Sequence, residues 1–141
     1  MPEALDSAIG WVAEHTRKYV ETEGREGHDW NGVPTLVLTT TGRRSGQPRR
    51  NALIYGRNDD AYLLVASYGG APKHPLWYEN LVADPEVELQ VGAEKFSAIA
   101  RTASASERAR LWPEMVKIWP DYDKYQARTD REIPLIIVQP H

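Results

Sequence analysis

The sequence predicts an α+β fold, an antiparallel barrel or strongly bent sheet of about six strands with peripheral helices, in one domain spanning residues 1–141. Three observations predict it. β-Branched and apolar runs come in hairpin-like pairs joined by Gly-, Asn- and Asp-bearing turns, not in alternation with helices as a doubly wound parallel sheet requires. Helical periodicity is confined to the amino end and to stretches between strand pairs. The chain has 141 residues and no cysteine, so it can bury a core and must do so without disulfide staples.

The elements follow in order. Leu5, Ile9, Val12, Thr16 and Tyr19 recur at helical spacing, which predicts a helix over residues 4–23. Three glycines and a proline break residues 24–34 into a loop. Thr35–Thr40 reads as a strand, Asn51–Tyr55 as its return and Tyr62–Ala66 as a third, with a turn at Asn58-Asp59-Asp60. A short helix is expected to start with Pro75 in its first position and to stop before Asp84-Pro85. Strands near 86–91 and 95–102 meet at Gly92. Ser104-Ala105-Ser106-Glu107 is a capping box, and Pro113 should break or restart the helix that begins there. Ile133–Val138 is the last strand, with Pro134 at its start or edge.

Charge narrows the partners. The net charge of −3 argues against nucleic acid and anionic membranes as general partners. Yet Arg43, Arg44, Arg49 and Arg50 form a basic island without an acid among them. Such an island on an acidic chain suits a local anionic ligand, or is simply a solvated loop. The amino terminus does not read as a signal peptide, and no apolar run approaches the roughly 18 residues of a membrane span. The expectation is a cytoplasmic protein without stable membrane insertion, monomeric or homodimeric.

Three segments could carry chemistry. Thr39 to Asn51 is a strand, a glycine-punctuated turn and a second strand. Its Arg43, Arg44, Ser45, Gln47, Arg49 and Asn51 supply guanidinium, hydroxyl and amide donors, while Gly42, Gly46 and Pro48 shape the turn. It matches neither a Walker A loop nor a Rossmann fingerprint. Ser67 to Asn80 runs from a small-residue loop into an aromatic helix, where Trp77 and Tyr78 could wall a flat ring or belong to the core. Trp119, Tyr122 and Tyr125 are spaced by three, as a pocket mouth or a packing stripe. The four histidines lack metal-ligand spacing, and no Gly-x-Ser-x-Gly elbow occurs. A borrowed cofactor would supply the missing reactivity.

These segments resemble the deazaflavin-dependent nitroreductase family, a branch of the actinobacterial flavin- and deazaflavin-dependent oxidoreductases. The resemblance runs from about Leu36 to Pro140. It is carried by Thr39–Arg49, Lys73–Leu81, Trp112-Pro113 and Tyr122–Pro134, which includes Thr129-Asp130-Arg131. It implies a split β-barrel of the FMN-binding-like class and a reductase using coenzyme F-420, an 8-hydroxy-5-deazaflavin. It implies that the Arg43–Arg49 turn holds the phosphate and acidic tail. Val65, Ala66, Ser67, Tyr68, Leu76, Trp77, Tyr78 and Asn80 would border the ring. Ser67, Tyr122 and Tyr125 would act on the acceptor, with Ile54 and Trp119 in its pocket.

The expected acceptor is an activated alkene, a quinone or a nitro-aromatic. Three departures weigh on nitroimidazole reduction more than on cofactor binding: Trp119 where the family carries tyrosine, Tyr68 where lysine is common, and Ile54 in place of an aromatic residue. The alternatives are an FMN-dependent enzyme of the same barrel class, a non-catalytic deazaflavin carrier, and an RNA-binding barrel, which the negative charge disfavours.

Overall fold

The computed structural model describes the backbone of residues 5–6 and 10–13 and the whole of residues 14–30 and 32–141. Nine strands form one curled sheet: β1 (Leu5–Asp6), β2 (Asp29–Trp30), β3 (Val33–Thr41), β4 (Pro48–Ile54), β5 (Gly56–Asn58), β6 (Ala61–Val65), β7 (Glu86–Val91), β8 (Glu94–Thr102) and β9 (Leu135–Pro140). The helices are α1 (Gly10–Glu21), α2 (Leu76–Ala83), α3 (Ala105–Ile118) and α4 (Asp121–Ala127). The strand order is β1-β4-β3-β7-β8-β9-β6-β5, with β2 paired to β3. Every pairing is antiparallel except β1 with β4.

The period-2 alternation of the strands explains the two cores. On β6, Tyr62 and Leu64 face one cluster while Ala61, Leu63 and Val65 face the other. On β9, Ile136 and Val138 divide from Leu135 and Ile137 in the same way. Both faces of these strands are buried, which is why the sequence shows continuous apolar runs there. The first cluster fills the curl of the sheet under α2; the second lies between the sheet and α3 and α4.

Several expectations change. The amino-terminal helix begins at Gly10, not residue 4, because Leu5-Asp6 adds as a parallel strand beside Arg49 and Arg50. Of the apolar stripe proposed for it, Thr16 and Tyr19 are fully buried, whereas the side chains of Leu5, Ile9 and Val12 lie outside the described residues. Gly56–Asn58, close to the expected turn, pairs with β6. Pro75 is the N-cap of α2 rather than its first helical residue. Helix α3 continues through Pro113. Its capping box is complete, with Ser104 Oγ accepting from the Glu107 amide and Glu107 accepting from the Ser104 amide. Leu111 and Met115 bury its inner face. These anchors offset the roughly 3 kcal/mol that an interior proline costs.

Candidate active site

The β3–β4 hairpin sets one end of the site. Its register runs from Thr35 opposite Ile54 to Thr41 opposite Pro48, so residues 42–47 must reverse the chain. The Gly42 amide donates to the Gln47 carbonyl at 2.8 Å, and the Gly46 amide to the Gly42 carbonyl at 2.8 Å. Gly46 has a φ of +72°, which a glycine adopts without strain. A Cβ on Gly42 would sit 2.7 Å from Ser45 Oγ. From α2 the buried Asn80 accepts from the Arg43 amide at 3.1 Å and donates to Thr40 Oγ1 at 3.2 Å, pinning the turn to the barrel.

That turn opens onto a cleft of about 920 Å³. Arg43, Arg44, Ser45, Arg49, Asn51 and Asn80 line its basic end. Arg43 lies 3.6 Å from Glu79. Arg44 and Arg49 have no acidic partner among the described residues, and the Arg44 and Ser45 amides have no acceptor there. Two unpaired guanidiniums and free amide groups form a natural seat for an anion.

At the other end, Ile54, Val65, Ser67, Tyr68, Leu76, Trp77, Trp119, Tyr122 and Tyr125 meet. Ser67 caps a 3-10 turn at Tyr68–Gly70 that follows β6, and Tyr68 is the first residue of that turn; Tyr122 and Tyr125 project from α4. The hydroxyls of Ser67 and Tyr122 have no partner among the described residues. Burial, and then the neighbouring Tyr125, push the Tyr122 phenol above its ordinary pKa. It therefore stays protonated and can donate a hydrogen bond, but is a poor base. Trp119 Nε1 donates to the Tyr125 hydroxyl at 3.3 Å. An indole N–H only donates, so Tyr125 keeps its own proton for another acceptor.

Four residues expected in the site do not line the cleft. Ala66 is fully buried in the core, because the alternation of β6 turns it inward. Tyr78 points across the sheet, with its hydroxyl 2.8 Å from Thr102 Oγ1 and its ring 4.8 Å from His74. Gln47 and Pro48 close the hairpin rather than face the cleft. Trp77 takes both roles open to it, being 6% exposed in the core and also lining the cleft.

His15 and Trp30, which lie outside the segments singled out in the sequence, also wall the cleft from α1 and β2. Trp30 packs on Trp119 with ring centroids 5.2 Å apart. Only the presence of a tryptophan in a polar, glycine-broken loop could flag it.

A family model described as F420H2-dependent quinone reductase matches residues 11–140. The chain belongs to this family. It is thereby a deazaflavin-dependent reductase. It is 43% identical over 128 residues to an F420H2-dependent quinone reductase of Mycobacterium tuberculosis, covering 88% of this chain and 86% of that protein. A solved F420-H2 dependent reductase superposes with a TM-score of 0.70 at 41% identity, over 75% of this chain and 94% of its own. A structure described as a domain-swapped dimer gives a TM-score of 0.73 at 39% identity, over 94% and 100% of the two chains. With these relatives the curled sheet is assigned to the split-barrel, FMN-binding-like class. The family's dependence on reduced coenzyme F-420 makes that coenzyme the implied cofactor, and nothing favours FMN.

Proposed function

We propose that this chain binds coenzyme F-420 along the cleft and reduces a quinone, with enones and nitro-aromatics as further acceptors of the same chemistry. The observation that carries the reading is a single cleft with two unlike ends. One end offers Arg44 and Arg49 without acidic partners among the described residues, suited to the phosphate and carboxylates of the coenzyme tail. The other offers apolar and aromatic walls with three hydroxyls from Ser67, Tyr122 and Tyr125, suited to a flat ring and an acceptor oxygen. Three arginines at that end, Arg43, Arg44 and Arg49, favour the longer, more acidic coenzyme over FMN.

Bound in its reduced form, coenzyme F-420 supplies a hydride. The protein's own residues do the rest. The arginines fix the tail, and Trp77 and Leu76 support the ring. Tyr122 and Ser67 donate hydrogen bonds to the acceptor oxygen, and Tyr125 or solvent delivers the proton. Holding the partners in contact provides most of the acceleration. No strongly perturbed acid–base pair is needed.

The test is anaerobic oxidation of reduced coenzyme F-420 with menadione, cyclohexenone or a nitro-aromatic. Menadione-dependent oxidation is expected, with kcat in Tyr122→Phe reduced about tenfold or more and coenzyme affinity unchanged. Tight binding without turnover of any acceptor would identify a carrier instead.

A further inference from the structure

The Thr129-Asp130-Arg131 segment carries family resemblance, yet Arg131 does not line the cleft. Its guanidinium is spent on one loop. Nε donates to the Ala71 carbonyl at 2.8 Å, Nη2 to the Ser67 carbonyl at 2.7 Å, and Nη1 to the Ala66 carbonyl at 3.4 Å and to His74 Nδ1 at 3.1 Å. These acceptors lie 57 to 65 residues away in sequence.

The loop needs such an anchor. Tyr68, Gly69 and Gly70 have φ of +47°, +65° and +83° in succession. A left-handed tyrosine is strained, because its Cβ crowds the following carbonyl. The loop's own bonds are short-range, from the Gly70 amide to the Ser67 carbonyl and from the Ala71 amide to the Tyr68 carbonyl. The other side of Arg131 is tied to α4. Its carbonyl accepts from Gln126 Nε2 at 2.8 Å, and Gln126 Oε1 accepts from Arg108 and from the Ile133 amide. The loop also presses on α4, since a Cβ on Gly70 would lie 2.6 Å from the Tyr125 carbonyl oxygen.

We infer that Arg131 is a positioning residue that clamps the Ser67–Gly69 wall to α4, and so fixes the distance between the Ser67 hydroxyl and the phenols of Tyr122 and Tyr125. The role in turnover rests on the proposed use of the cleft; the clamp itself does not. Lysine cannot replace arginine, because one ammonium on a flexible stem cannot span four acceptors in a planar fan.

The experiment uses Arg131→Ala and Arg131→Lys in the full chain. In ligand-free protein, amide hydrogen exchange at Gly70 and Ala71 should accelerate about tenfold or more in both variants, while Leu38 and Leu89 keep wild-type rates. Millimolar guanidinium should restore protection in Arg131→Ala but not in Arg131→Lys. With menadione, kcat should fall about tenfold, while the Kd for coenzyme F-420 changes less than about threefold because the β3–β4 turn still holds the tail.

Unchanged loop exchange, uniform acceleration in the central strands, or failure of guanidinium to rescue Arg131→Ala would each overturn the clamp. If Arg131→Ala does not fold, the exchange pattern of Arg131→Lys decides. If wild-type protein neither binds coenzyme F-420 nor turns over, the functional reading fails while the exchange data still judge the clamp.

Discussion

At the residue scale, the protonation state of His74 bears on the loop that Arg131 holds. A guanidinium cannot accept a hydrogen bond, so His74 Nδ1 must be unprotonated to receive one from Arg131. Burial first, and Arg131 second, hold the His74 pKa below its usual 6.5, against the opposing pull of Glu79. The Tyr78 ring packs on its other side. A depressed folded-state pKa means that the contribution to stability is complete above pH 6.5 and is lost as pH falls through the lower value. Wild-type stability should therefore drop more between about pH 7.5 and 5.5 than that of His74→Asn, which keeps an acceptor without a titrating ring. Chemical denaturation at the two pH values checks this, and parallel losses would contradict it.

The same scale shows where sequence reasoning reached and stopped. The arginine turn was legible because glycine spacing and uncompensated charge are local. The spacing of Trp119, Tyr122 and Tyr125 suggests one shared helix, but only Tyr122 and Tyr125 lie on α4 while Trp119 caps α3; it is the resemblance, not the spacing, that points them at an acceptor. Arg131 was not, because its partners are some 60 residues away. Nor were His15 and Trp30, which reach the cleft from elements outside the recognised segments.

At the element scale, strands with alternating or continuous apolar patterns lie close to where they were expected. The three that escaped, β1, β2 and β5, are two, two and three residues long and carry no apolar period. They exist because a neighbouring strand supplies their hydrogen bonds, which is tertiary context. Helix α3 teaches the converse lesson. Propensity stops it at Pro113, but the capping box and the burial of Leu111 and Met115 carry it on. Pro113 is exposed, so its ring contributes little packing. Pro113→Ala should restore the amide donor toward the Ala109 carbonyl and stabilise the protein by about 1–3 kcal/mol in denaturant unfolding. A loss of stability would mean that the proline shapes the helix for its contact with α4. The other end of α3 has its own pH signature. The Arg101 side chain, then the Ser104 amide, draw the Glu107 carboxyl down to about 2, so the cap survives mild acid.

At the scale of the whole molecule, the curl of the sheet joins unlike chemistries. The β3–β4 hairpin brings guanidiniums to one end of the cleft, and β6, α2 and α4 bring hydroxyls and aromatic rings to the other. Strand β9, last in sequence, lies between β6 and β8 near the middle of the sheet. The two walls are thus connected through long-range pairing, and the Gln126–Arg131 link spans the remaining gap. No described helix is long and apolar enough to cross a membrane.

What the cleft binds decides the function of this chain. The most direct measurement is quenching of tryptophan fluorescence on titration with coenzyme F-420 and, separately, FMN, at low and high salt, for wild type and for Arg44→Gln/Arg49→Gln. Tight, salt-sensitive binding of coenzyme F-420 is expected, weakened about tenfold or more in the double variant, with FMN bound more weakly. Tighter binding of FMN, or binding of neither, would contradict it.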